Sequence, residues 1–186
     1  MTPKSQKGKS MLTGKSITLR PVRASDVEKL YAFHTDIQNR GDYFPRGILS
    51  QPAFQSQFQE SGFWGKEEGM LLVVSSEDEI LGHIEFFKTV NYLDEYELSY
   101  QLYDTKYYGK GVMTEAVQML VQYLFETKRM NRIRLVIHPD NAASRRLAEK
   151  CGFTHEGTAR GAWYNKGRHQ DVEIYSILHE VVIPPS

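Results

Sequence analysis

Gly109 and Gly111 flank Lys110 and follow Tyr108 at the junction of two differently patterned runs. Ahead of them Leu98, Tyr100 and Leu102 alternate with Glu97, Ser99 and Gln101, the period of a half-buried strand. Behind them Thr114-Glu115-Ala116-Val117 opens a helical period. A glycine turn that delivers a strand into a helix leaves the first helical amides without intrahelical partners, at the positive end of the helix dipole. The chemistry on offer is anion binding, phosphate above all, on the amides of Tyr108, Gly109, Lys110, Gly111, Val112, Met113 and Thr114. The Walker spacing is absent, and the dinucleotide pattern would need a third glycine where Thr114 stands.

Around this turn the chain alternates strands and helices. Residues 15–20 place Ile17 and Leu19 on one face and stop at Pro21, a first strand. Ser25-Asp26-Val27-Glu28 has capping-box spacing and predicts the start of a helix. Residues 39–50, with Gly41, Pro45 and Gly47, predict an irregular segment before a second helix bearing Phe54 and Phe58. Residues 70–75 and Ile80–Phe87 make a strand pair, and the Glu97 strand follows. Met113, Val117, Leu120, Val121 and Leu124 form the core stripe of a third helix. Residues 133–137 read as a central strand and Ala142–Lys150 as a short helix capped by Gly152. Residues 153–158 and 171–178 close the chain as a strand pair around a loop at 163–167. The order β-α-α-β-β-β-α-β-α-β-β predicts an α/β fold with a mixed sheet and helices on both faces.

With 186 residues and 40% apolar content, one core and one domain over residues 15–182 are expected, after a basic, flexible leader at 1–14. Lys+Arg and Asp+Glu both number 23, which argues against nucleic-acid or membrane partners held by net charge. The single cysteine, Cys151, excludes an intrachain disulfide and fits a small core residue in a reducing compartment. No signal-type apolar segment is visible, so a cytoplasmic protein is expected. The six histidines show no metal-ligand spacing, and no metal is expected.

Residues 108–113 resemble the pyrophosphate loop of the GNAT acyltransferases, Gln/Arg-x-x-Gly-x-Gly/Ala, through Gly111, with Tyr108 and Met113 as departures. Gly-Lys-Gly-x-x-Thr-Glu-Ala is similar to the branch of the Rim-type ribosomal-protein N-terminal acetyltransferases. Downstream, Pro139 to Phe153 closely resembles the GNAT segment Pro-x-Asn-x-x-Ser-x-x-x-x-Glu-Lys-x-Gly-Phe. The resemblance implies a GNAT fold whose central sheet splays between its fourth and fifth strands, with acetyl-CoA lying in the gap. Its pyrophosphate would rest on the glycine turn, and its pantetheine arm on the edge of Gln101, Leu102 and Tyr103, with Asn141 opposite. Arg146, with Lys110, Arg145 and Lys150, would face the nucleotide phosphates.

Acetyl transfer to an amine needs a group that takes the amine proton and a donor for the departing sulfur. By its spacing to Gly111, Glu97 resembles the general base of GNAT histone acetyltransferases, and Glu85 is a second candidate. Ala148 stands where many family members carry a tyrosine, which leaves Ser144 as the donor implied by the Rim resemblance. Trp163 replaces a carboxylate of some Rim relatives and joins Tyr43, Phe44 and Glu85 as a candidate substrate wall. The implied activity is acetylation of a primary amine, a protein N-terminus first and a small amine such as a polyamine, amino acid derivative or antibiotic second. An acidic cavity would point to polyamines and a neutral open trough to a peptide. A non-catalytic acyl-CoA sensor is the alternative from another class, and homodimerisation is left open.

Overall fold

From Met70 to Val74 every residue is apolar, so a strand built there needs cover on both faces. The computed structural model, which describes residues 12–38 and 40–183, supplies it. In chain order the elements are β1 (Leu12–Thr13), β2 (Thr18–Pro21), α1 (Val27–Thr35), α2 (Gln51–Ser61), β3 (Glu68–Val74), β4 (Ile80–Phe87) and β5 (Glu95–Leu102). There follow α3 (Val112–Thr127), β6 (Arg132–Ile137), α4 (Ala142–Lys150), β7 (Thr154–Asn165), β8 (Arg168–Leu178) and α5 (His179–Val182). The strands form one mixed sheet in the order β1-β2-β3-β4-β5-β6-β8-β7.

Two cores flank it. Leu71 and Val73 pack with Ile84, Leu98, Ile133 and Leu135 against the α3 stripe, where Val117, Leu120 and Leu124 are wholly buried. Each such leucine contributes about 2 kcal/mol of burial. On the opposite face Leu72 and Val74 meet Val27 and Leu30 of α1 and Phe54 of α2. That second cover extends over only part of the sheet, which leaves space beneath the helices.

The feature that positions the site is the separation of β5 from β6. β5 pairs with β4 from Phe87↔Glu97 to Gly82↔Leu102. Against β6 it pairs, in parallel, only at Glu95↔Arg132, Tyr96↔Ile133 and Glu97↔Arg134. Beyond Glu97 one edge of β5 is open, which is the splay that the resemblance implied.

Three local expectations change. The capping box at Ser25 gives way to a 3-10 turn, Ala24–Asp26, in which Asp26 accepts the Arg23 N–H at 2.8 Å. Asp26 is drawn inward because buried Arg20 grips it at 2.7 and 3.1 Å. The loop expected at 163–167 is the end of a long hairpin that turns on Lys166-Gly167, with φ of 53° and 78°. Irregularities near Gly157 and between Ala159 and Trp163 break the strand alternation and hid β7 in the sequence. Residues 1–11 of the expected leader lie outside the described residues, while Leu12 and Thr13 pair with Leu19 and Thr18.

Candidate active site

The glycine turn is braced before it is open. After β5 the Asp104 carboxylate accepts the Lys106 N–H at 2.8 Å, and the Tyr107 hydroxyl donates to Glu79 at 2.7 Å. Gly109 and Gly111 then take φ of 71° and 79°, values that L side chains seldom adopt. Gly111 caps α3, and the first intrahelical bond runs from Glu115 N–H to its carbonyl at 3.0 Å. The amides of Val112, Met113 and Thr114 therefore face outward without helical acceptors, while the side chains of Val112 and Met113 are buried anchors. Glu115 accepts from Ser16 N–H at 3.1 Å and from the Ser16 hydroxyl, which ties the start of α3 to the β1–β2 turn. Tyr108, Gly109, Lys110 and Gly111 are exposed. Cys151 donates weakly to the Thr114 carbonyl at 3.7 Å, and burial pushes its thiol up to about 11, so it is a packing residue.

The open edge of β5 starts here. Tyr103 N–H donates to the Leu81 carbonyl of β4, and the Asp94 carbonyl accepts from Asn131 at the start of β6. Alternation along the strand then turns the backbone groups of Leu98, Tyr100 and Leu102 toward the gap. Of the three edge residues expected from sequence, Leu102 has this orientation; Gln101 and Tyr103 send their side chains into a cavity on the α1–α2 face. Across the gap Asn141 caps α4, its Oδ1 accepting the Ser144 N–H at 3.1 Å, which leaves its amide nitrogen as a donor. The Ser144 hydroxyl lies against the Tyr100 phenol, and Arg146 is exposed on α4.

The cavity measures about 500 Å³ and lies between α1, α2 and strands β3 to β5. Phe54, Phe63 and Phe86 supply apolar wall, and Glu60, Glu68 and Glu85 supply carboxylates. Burial pushes the Glu85 carboxyl above its ordinary value, a hydrogen bond from Ser99 draws it back, and Glu68 adds to the rise. His83, on the same face two residues earlier, meets the Tyr103 hydroxyl at 2.7 Å and is held neutral at about 4 by burial beside His34 and Arg40. Arg40 is buried against Phe44, 5.0 Å from its ring centre, and is the cation that acts on Glu85. His83 and Arg40 were not singled out in the sequence; the signal for His83 was its spacing of two from Glu85 on one strand.

Glu97 lies elsewhere. Arg134 holds its carboxylate at 2.9 and 3.0 Å and also reaches Glu95 at 3.1 Å, at the closed end of the splay. Burial raises its carboxyl and Arg134 opposes the rise.

Residues 40–47 form a strap across the two halves of the molecule. Phe44 stands edge-on to His83 in the cavity, whereas Tyr43 stacks on His138 at 5.0 Å and donates to the Asp140 carbonyl at 3.3 Å. Trp163 meets the other edge of His138 at 6.0 Å, and Asn165 and Lys166 hold Asp42. Of the expected substrate wall, Phe44 and Glu85 thus share the cavity, and Tyr43 and Trp163 share a separate aromatic cluster beside the start of α4. Among the described residues no cluster suits a metal ion, and no helix is long and apolar enough to cross a membrane.

Outward amides at a glycine-capped helix and an open strand edge suit a ligand with a diphosphate and an amide-bearing arm. Residues 16–154 match the family described as the acetyltransferase (GNAT) domain. The chain is similar to the probable N-acetyltransferase YjcK of Bacillus subtilis, 28% identical over 91% of this chain and 97% of that protein. Among solved structures it is similar to spermidine N-acetyltransferase from Vibrio cholerae in complex with CoA and spermine, with a TM-score of 0.78 and 20% identity over 90% of this chain and 98% of that one. It is also similar to Mycobacterium smegmatis RimJ in complex with CoA-disulfide, with a TM-score of 0.76 and 21% identity over 91% and 85% of the two chains. These two likenesses are of fold. The family match covers most of the chain and every element from β2 to α4, so this protein belongs to the GNAT family and is an N-acetyltransferase.

Proposed function

We propose that the chain moves the acetyl group of acetyl-CoA to a primary amine on a small cationic acceptor of the polyamine class, with Glu85 as the group that takes the amine proton. The observation that carries this reading is the position of Glu85. It faces the cavity from β4, opposite Ser99 of β5, and one residue further along β5 Tyr100 turns its backbone toward the gap. An amine in the cavity and a thioester on the open edge would meet across this strand.

The amides of Val112, Met113 and Thr114 would hold the diphosphate of acetyl-CoA, the Leu102 backbone its pantetheine amides, and the Asn141 side chain that arm from the other side. Lys110 on the glycine turn and Arg146 on α4 are exposed cations that would meet the nucleotide phosphates. When bound, acetyl-CoA supplies an activated acyl carbon. A polyamine nitrogen is mostly protonated at neutral pH and has no lone pair to attack with, so Glu85, a stronger base than a surface glutamate, takes one proton from it before attack. Glu60 and Glu68 attract a second ammonium, and the phenylalanines cover the methylenes between. Three carboxylates against Arg40 make this an acidic cavity, the property that separates a polyamine acceptor from a peptide terminus.

The test is acetyl-CoA-dependent thiol release over polyamines, amine antibiotics and N-terminal peptides, with acetyl-CoA binding followed by calorimetry. Release with polyamines is the expected result. Release with peptides alone overturns the acceptor assignment, binding without any release favours an acyl-CoA sensor, and absence of binding removes the reading altogether.

A further inference from the structure

The Tyr100 hydroxyl is buried and has no hydrogen-bond partner of adequate geometry among the described residues. Native proteins seldom leave a buried donor unpaired, and an exception calls for a function. Its position supplies one. Tyr100 lies on β5 beyond Glu97, the last residue paired with β6, so it stands beside the open gap. Successive strand residues project to opposite faces, so Ser99, the partner of Glu85, faces the cavity while Tyr100 points to the α3–α4 side. There its phenol meets Ser144, in the first turn of α4. The base and the orphan hydroxyl thus flank one gap from its two faces.

We propose that Tyr100 is a further catalytic residue, whose hydroxyl donates a hydrogen bond to the sulfur of CoA as the thiolate departs. This rests on the acetyl-CoA reading above. In the transfer the amine nitrogen bonds to the acyl carbon, the carbon–sulfur bond breaks and its electron pair stays on sulfur. Glu85 takes one proton from the ammonium before attack, the second N–H proton leaves to solvent as the amide forms, and the Tyr100 proton remains on its oxygen, shared with the thiolate. Burial pushes the phenol up to about 12, with Ser144 opposing, so it is protonated and available as a donor at neutral pH. The start of α4 adds its positive dipole end to the same place.

Tyr100→Phe removes the hydroxyl and keeps the ring. Because the hydroxyl makes no hydrogen bond of adequate geometry and Ser144 is its close polar neighbour, the variant is expected to melt close to the wild type and to bind CoA with unchanged affinity by calorimetry. Its kcat is expected to fall roughly 100-fold, the loss typical of one donor to developing negative charge. The direct readout is the pKa of the thiol of bound CoA, followed by ultraviolet absorbance of the thiolate, which rises in Tyr100→Phe relative to wild type. Unchanged kcat, or an unchanged thiol pKa in a variant that binds CoA, overturns the proposal. A wild type that does not bind CoA overturns the proposed function instead, and the two failures are thereby distinct.

Discussion

Arg134 holds Glu97 by an Nη2–Oε2 contact of 2.9 Å at Glu97↔Arg134, the last rung before β5 and β6 part. The carboxylate with the family spacing is therefore committed to closing the sheet at the root of the gap. Glu97→Gln is expected to leave kcat largely intact. Arg134→Ala, which leaves the neighbouring carboxylates of Glu95 and Glu97 short of a partner, is expected to cost about 2 kcal/mol in chemical denaturation. Loss of turnover in Glu97→Gln with CoA binding retained would return the base role to Glu97.

With Glu85 as the proposed base, the reaction acquires a pH dependence. A base works deprotonated, and burial raises this carboxyl from its ordinary 4.5, so kcat/KM should climb with pH through an apparent value above 4.5 and then level off with respect to this group. Glu85→Gln should lower kcat roughly 100-fold and erase that limb of the profile. A variant that keeps the limb assigns it to another group.

At Gly111, an added Cβ would meet open space, so substitution is resisted by the backbone angle of +79° alone. Gly111→Ala is expected to destabilise the fold by about 1–2 kcal/mol and to weaken acetyl-CoA binding, because the strained turn re-aims the amides at the helix start. Calorimetry and thermal melting on the same sample separate the two effects. An alanine variant of full affinity would show that the turn does not shape the anion site.

Asp26 and Arg20 make a buried pair, with side chains 10% and 4% exposed. Asp26→Asn is expected to cost about 1–3 kcal/mol, since Arg20 loses its buried carboxylate partner and keeps the more exposed Asp78 at 2.7 Å. Burial alone would raise the Asp26 carboxyl, but its bonds to Arg20 and the Arg23 N–H hold it below 3.8. A lowered native value means that the pair's stabilisation is complete above the unfolded value and lost as pH falls through the native one. Acid denaturation of the wild type should therefore show a loss below about pH 4 that Asp26→Asn lacks.

Local chemistry made much of this legible. Gly109 and Gly111 announced a left-handed turn because few other residues tolerate one, and the spacing of Val117, Leu120 and Leu124 has few solutions besides a buried helix face. Phe44 and Glu85, named together in the sequence, line one cavity. The β7–β8 hairpin was obscured because its irregularities break the period of two on which a strand is recognised.

From the residues alone came the element order from β2 to β8, the glycine-capped helix and the family resemblance, all of which depend on neighbours within a few positions of one another. Tertiary structure decided which carboxylate is held in a salt bridge. Glu85 and Glu97 both face the same side of adjoining strands, and only the arrival of Arg134 from β6, a strand distant in sequence, occupies one and leaves the other in the cavity. The same holds for Tyr100, whose alternation predicts only a partly buried strand residue. That its buried hydroxyl meets Ser144 of α4 without a hydrogen bond of adequate geometry depends on packing between elements that no local pattern encodes.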